Sequence, residues 1–163
     1  MKPKFSIYQY LNFILTGLIF SGCTIVVFSK NVDDITLIKN ISGLSLGIET
    51  IIVFIMIGII YELGLIINRI GSILIEPIYK KLHFVRFNDD YKRFNEAKKD
   101  YPILDVLSRE YALSRTQISL YLILAILSII QHQWILLIIF LLLVLLFSIS
   151  MFKHSKKIIN LMS

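Results

Sequence analysis

The stretch of this chain that decides its fold is LSLGIETIIVFIMIGIIYELGLIINRIGSILIEP, which occupies residues 44–77. Its first part, from Leu44 to Ile67, is almost wholly apolar and carries only two formal charges, Glu49 and Glu62. An α-helix rises about 1.5 Å per residue, so about 20 apolar residues cross the hydrocarbon core of a bilayer, which is about 30 Å thick. The stretch therefore predicts a transmembrane helix with an acidic residue inside the membrane.

Three further stretches are long and apolar, and they begin at Ile7, Thr116 and Trp134. Charged residues make up 17% of the chain, against about 25% in an average soluble domain, which argues against a soluble catalytic domain. We therefore predict an all-α, polytopic membrane protein with four transmembrane helices and a helical segment between the second and third. The predicted boundaries are residues 1–163 for the single membrane domain, 7–28, 44–68, 116–131 and 134–152 for the spans, and 78–114 for the helical segment.

Positive charges predict the orientation of these helices. Lysine and arginine are concentrated near both termini and in residues 78–114, and the turn between the last two spans has no formal charge. Because lysine and arginine are enriched in cytoplasmic loops, we predict that both termini and the 78–114 segment are cytoplasmic. The net charge of +6 then needs no nucleic acid to explain it.

Three ionisable residues of the second helix, Glu62, Arg69 and Glu76, are spaced seven residues apart and so share one face of an α-helix. Glu62 is predicted to lie about 9 Å from the bilayer midplane, where a charge costs on the order of 3 kcal/mol. Such a face normally turns toward protein or a wet cavity. Arg115, which precedes the third span, has a similar predicted depth, so we predict that it contacts Glu62 or Glu76.

The role of Glu62 has three interpretations. It is a structural ion-pair partner of Arg69, Arg115 or a polar group on another helix; it lines a path for ions or protons in an oligomer; or it senses voltage, pH or a ligand. An acid with a base nearby is most simply an ion pair, and a path needs several copies around an axis. We expect the second helix to be a central element that connects the bilayer to a basic cytoplasmic surface.

Small residues predict where helices pack closely, because helices in lipid associate through close backbone contact. The predicted packing residues are Gly17, Ser21, Gly58, Gly64 and Gly71. Pro77 has no amide hydrogen, so it is predicted to kink or end the second helix.

Basic residues alternate with aromatic ones after the second span. Such a pattern suits a helix at an anionic membrane surface, a docking site for a soluble protein, or single-stranded nucleic acid. The membrane surface needs no additional partner, so we favour lipid headgroups and expect no direct binding of nucleic acid. The residues predicted to form this surface are Lys80, Lys81, Arg86, Lys92 and Arg93.

The sequence offers little catalytic chemistry. No cysteine or histidine pair has the spacing of metal ligands, and no phosphate-binding loop or serine elbow is present. We therefore predict no cofactor, no metal site and no enzymatic activity. Residues Phe20 to Cys23 resemble a lipoprotein signal with a lipidated cysteine, but apolar residues continue to Phe28, so we expect an uncleaved span.

Two short motifs carry a resemblance to known proteins: Arg69-Ile-Gly-Ser-Ile-Leu-Ile-Glu-Pro77 after the second span and Leu107-Ser-Arg-Glu-Tyr-Ala-Leu-Ser-Arg115 before the third. With the four-helix layout, they resemble a group of small bacterial membrane proteins found near anti-phage defence genes, and the layout is similar to the membrane subunit of the Kiwa defence system. The resemblance implies a homo-oligomer in the bacterial inner membrane that works with a soluble partner. It assigns no active residue to any position.

Two functional classes follow from these observations. The first is an oligomeric defence protein that senses membrane disturbance or recruits a soluble partner through residues 78–114. The second is an oligomeric pore or ion channel that dissipates ion gradients when triggered, with Glu62 near its axis.

Overall fold

The computed structural model of the protein describes residues 7–28, 46–82 and 91–162, and all regular structure within these ranges is helical. The helices are α1 (Ile7–Phe28), α2 (Leu46–Ile70), α3 (Glu76–Lys81), α4 (Tyr91–Asp100), α5 (Ile103–Ile130) and α6 (Trp134–Met162), and a π-helical turn (Gly71–Ile75) joins α2 to α3. Four helices are long and apolar enough to cross a membrane: α1, the continuous helix Gly47–Lys81, α5 and α6. The all-helical fold with four candidate membrane spans is therefore confirmed.

The helices extend beyond the predicted spans. α5 begins at Ile103 and runs unbroken to Ile130, so the segment before the third span belongs to the same helix as the span itself. α6 continues past Phe152 to Met162. Within the predicted helical segment 78–114, residues 83–90 lie outside the described residues, and α4 covers Tyr91–Asp100.

The helix at the centre of the described bundle is α5. Half of the most apolar window of α5 is buried within the chain, compared with 11% for the continuous helix Gly47–Lys81 and for α6. Leu104 and Ile118 of α5 join one buried cluster, and Leu120 and Leu124 join a second. α5 therefore separates α6 from the α1–α2 pair and contacts all of them.

Small polar side chains explain why α5 is the buried helix. Ser114 and Ser128 are buried, and both hydroxyls have partners: Ser114 Oγ lies 3.0 Å from Ser150 Oγ of α6, and Ser128 Oγ donates to the carbonyl oxygen of Leu124 at 2.9 Å. A polar group in hydrocarbon is unfavourable unless it is hydrogen-bonded, so such residues favour a position among other helices.

α1 and α2 cross with their backbones in close contact at two glycines. A Cβ atom on Gly17 would lie 1.9 Å from the carbonyl oxygen of Ile60, and one on Gly64 would lie 1.9 Å from that of Phe13. No real Cβ atom approaches backbone this closely, so only glycine permits the crossing. Ser21 lies half-buried further along α1, whereas the space around Gly58 is open.

We predict that Gly17→Ala destabilises the protein by about 1–3 kcal/mol, because α1 and α2 must separate to accommodate the methyl group. The measurement is the free energy of unfolding in detergent micelles. Gly22→Ala is the matched control on the same helix, because a Cβ there meets nothing within 4 Å. The control should be neutral or stabilising by up to about 1 kcal/mol, since alanine favours helix over glycine. Equal losses in both variants would contradict a specific close contact at Gly17.

Candidate functional site

The π-helical turn changes which way Glu76 faces. The backbone N–H of Glu76 donates to the carbonyl oxygen of Gly71, five residues earlier, so the turn holds one residue more than an α-helical turn. One extra residue rotates everything that follows by about 100° around the helix axis. Glu76 is therefore removed from the face that carries Glu62 and Arg69, and the prediction that all three share one face is wrong.

Pro77 follows directly after this turn. A proline inside an α-helix lacks a donor and clashes with the carbonyl group four residues earlier, which here belongs to Ile73 in the π-helical turn. The wider turn relieves that conflict, so the helix does not end at Pro77 and continues to Lys81. π-helical turns of this kind are frequent at functional sites, which directs attention to the residues around it.

Glu76 is the acid that contacts Arg115. The Nη1 group of Arg115 donates to Glu76 Oε2, and Lys80 Nζ lies 3.3 Å from Glu76 Oε1. The side chains of Arg115 and Glu76 are only 14% and 16% exposed, so the pair is largely removed from solvent. Of the two acids predicted as partners of Arg115, the structure selects Glu76 and leaves Glu62 apart.

Gly71 allows α5 to approach close enough for this pair to form. A Cβ atom on Gly71 would lie 2.8 Å from Ser119 Oγ and 3.1 Å from the carbonyl oxygen of Arg115. The glycine that begins the π-helical turn therefore lies against the α5 backbone at Arg115. This contact brings the guanidinium group and the redirected carboxylate together.

The two residues after Arg115 contact two other helices. Thr116 Oγ1 donates to Asn68 Oδ1 of α2 at 2.8 Å, and Gln117 Nε2 donates to Thr16 Oγ1 of α1 at 3.4 Å. Successive residues of an α-helix point about 100° apart, so Arg115, Thr116 and Gln117 can each reach a different neighbouring segment. We call the set that these contacts form the polar junction: Arg115 with Glu76, Thr116 with Asn68, and Gln117 with Thr16.

Sequence reasoning missed most of the polar junction. It singled out Arg115 and Glu76 because they are charged, whereas Thr16, Asn68, Thr116 and Gln117 are neutral. For Asn68, Thr116 and Gln117 the available signal was their position where an apolar span meets its polar end, whereas Thr16 is a polar residue near the middle of α1.

Glu62 and Arg69 remain on the uncovered face of α2. Both are exposed, and neither forms an ion pair or a hydrogen bond with any residue that the structure describes. They line a shallow depression with apolar neighbours such as Ile66 and Ile73. Gly58, one turn before Glu62, is exposed on this helix as well. Within one chain, then, Glu62 is paired neither with Arg69 nor with Arg115.

The residues predicted to form a basic surface divide into two groups. Lys80 is half-buried and turns toward Glu76, whereas Lys81, Lys92 and Arg93 are exposed. Arg86 lies outside the described residues. α4 is held in place by Phe94 and Ala97, which pack against the core, and by Lys98, whose Nζ lies 2.6 Å from Asp105 Oδ1.

The N-terminal parts of α1 and α5 are also joined. Tyr8 OH donates to Glu110 Oε1 at 3.1 Å, and the guanidinium group of Arg109 lies over the Tyr8 ring, 5.7 Å from its centroid. Arg109 is held in turn by Asp105, whose Oδ2 lies 3.5 Å from its Nη2. These contacts place Arg109 at the same end of the bundle as Arg115 and the rest of the polar junction.

The described residues contain no group of three or more histidine, cysteine, aspartate or glutamate side chains that could hold a metal ion. Cys23 is half-buried in α1.

The described residues define an all-helical protein with four candidate membrane spans and a polar junction between them. No family model matches the chain, and no curated protein or solved structure matches it either.

We predict that a double-mutant cycle on Glu76→Gln and Arg115→Gln gives a coupling energy of about 1–3 kcal/mol in the free energy of unfolding, because the pair is shielded from solvent. The matched control is Lys98→Gln with Asp105→Asn, a pair whose side chains are 41% and 48% exposed. Its coupling should stay below about 1 kcal/mol. Glu62→Gln combined with Arg115→Gln should be additive, and strong coupling there would contradict the separation of the two residues.

Proposed function

We propose that this protein is a non-enzymatic membrane component of bacterial anti-phage defence. It forms a homo-oligomer in the inner membrane, with both termini and residues 78–114 in the cytoplasm, and it senses membrane disturbance or recruits a soluble partner through that segment. The observation that supports the oligomer best is the exposed face of α2 with its unpaired charges. The bacterial setting and the defence role rest on the resemblance of residues 69–77 and 107–115.

The argument for an oligomer begins with the depth of Glu62. It lies six residues from Met56 near the middle of the apolar stretch, or about 9 Å along the helix axis, and a carboxylate facing hydrocarbon there costs on the order of 3 kcal/mol. No residue of the same chain that the structure describes neutralises it. A second copy packed on α2 would remove Glu62 and Arg69 from lipid, and Gly58 would let that helix approach closely.

Recruitment is supported by the way α4 is held. Its apolar side chains, Phe94 and Ala97, are used for packing against the core, so its basic side chains are turned outward. On this short helix the exposed Lys92, Arg93 and Lys99 outnumber the exposed acids Glu96 and Asp100. Such an excess of basic side chains suits anionic headgroups or an acidic soluble protein.

A pore is the second candidate function, and the exposure of Glu62 favours it as well. Four helices enclose little room for water, so a conducting path would form between copies. An oligomer that arranges α2 around an axis would bring several Glu62 side chains together. A ring of carboxylates is a common filter in cation channels.

We predict that copies of the protein can be cross-linked through α2. In a Cys23→Ser background, Ile59→Cys or Ile66→Cys should form disulfide-linked dimers in oxidised native membranes, because a disulfide needs Cα atoms within about 7 Å. Leu142→Cys and Leu145→Cys are the matched controls, since these α6 residues are also exposed. They should remain monomeric. Cross-linking confined to α6 would contradict an oligomer formed through α2.

We predict that Glu62→Gln lowers the yield of cross-linked dimer several-fold without creating or removing ion flux in proteoliposomes, because Glu62 stabilises the interface. The measurement combines the cross-linking assay with fluorescence-detected cation flux, before and after membrane disturbance. Glu49→Gln, which alters another acid of α2, is the control. A triggered flux in the wild type whose cation selectivity changes in Glu62→Gln would favour the pore over the recruiting protein.

A further inference from the structure

A cleft of about 180 Å³ lies between α1, α2 and α5, on the side of the polar junction that faces α1. Two arginines line it, Arg109 and Arg115, together with the amide residues Gln9, Asn12 and Asn68. Gln9 is exposed, so the cleft reaches the surface of the protein. Its volume is below the 300 Å³ or so at which pockets for drug-sized molecules begin, which suits a small polar group.

The charge around the cleft favours an anion. Glu76 is shared by Arg115 and Lys80, and Asp105 is shared by Arg109 and Lys98, so neither arginine has a carboxylate to itself. None of these carboxylates lines the cleft, whereas both arginines do.

Both arginines keep donors for a ligand. The guanidinium group has five N–H donors in a planar fork that matches the oxygens of a phosphate group. Arg109 donates through Nε to the carbonyl oxygen of Asp105 at 3.2 Å, and its Nη2 approaches the Asp105 carboxylate. The Nη1 group of Arg109 is then available to bind a ligand. Arg115 donates to Glu76 through Nη1, while its Nε is buried without a hydrogen-bond partner among the described residues. That Nε has essentially no accessible surface, so the remaining donors of Arg115 for an anion in the cleft belong to its Nη2 group.

We propose that this cleft binds a phosphate group, carried by the headgroup of an anionic phospholipid or by free phosphate. Its position suits a headgroup, because it lies at the end of the spanning helices where the basic residues of the described chain are concentrated. Basic clefts between transmembrane helices are a known form of headgroup recognition. The site lies within one chain, so it does not depend on the oligomer or on a role in defence.

The test uses the full-length protein purified in a neutral detergent. Dihexanoyl phosphatidylglycerol, dihexanoyl phosphatidylcholine and inorganic phosphate are titrated separately, and native mass spectrometry with calorimetry gives the stoichiometry and affinity. We expect one phosphatidylglycerol per chain, bound at least about tenfold more tightly than phosphatidylcholine. Arg109→Gln should weaken this binding about tenfold, as expected for the loss of a charge-assisted hydrogen bond.

Two further variants keep the test decisive if Arg109→Gln does not fold. Asn12→Leu fills the cleft but leaves both arginines and their ion pairs, and it should weaken binding to a similar degree. Lys156→Gln removes an exposed charge of α6 outside the cleft and should leave binding unchanged.

The outcomes separate the two sources of phosphate. Tight binding of phosphatidylglycerol with weak competition by inorganic phosphate identifies a lipid headgroup, whereas equal or tighter binding of inorganic phosphate identifies free phosphate. The proposal is overturned if the wild type binds neither saturably. It is also overturned if Lys156→Gln weakens binding as much as Asn12→Leu does.

Discussion

The described structure depends on one constraint: three consecutive polar residues of α5, placed among apolar helices, must each find a partner. Arg115, Thr116 and Gln117 point in different directions, and each meets a side chain of another segment. In an apolar environment an unpaired polar group is costly, whereas apolar contacts between helices are hardly better than contacts with lipid. The polar junction therefore determines how α1, α2 and α5 are aligned, and the apolar residues fill the space around it.

The fold class and the spans could be predicted from the sequence because length and hydrophobicity determine them directly. The central helix could not. α5 is the least hydrophobic of the four candidate spans, yet it is the most buried, because polar side chains such as Thr116 and Gln117 contact neighbouring helices. The most apolar helices are those that other helices cover least, so a ranking of the four helices by hydrophobicity is the reverse of their ranking by burial within the chain.

The candidate site was predicted in part for a similar reason. A partnership between Arg115 and an acid of the second helix followed from charge and depth, but the choice of Glu76 over Glu62 depended on the π-helical turn. A seven-residue spacing assumes an uninterrupted α-helix, and the single additional residue between Gly71 and Glu76 breaks that assumption. Pro77 was the only sign of it, and proline is equally compatible with a kink or a helix end.

The π-helical turn also has a mechanical consequence. It fixes the angle between α2 and α3, so the direction of the Glu62 side chain on α2 and that of Glu76 at the polar end are coupled. Rotation of α2 about its own axis would separate Glu76 from Arg115, so the ion pair opposes any rotation of the exposed face. A rotation imposed at one end of this helix would therefore be transmitted to the other end as torque, and the helix would not need to slide.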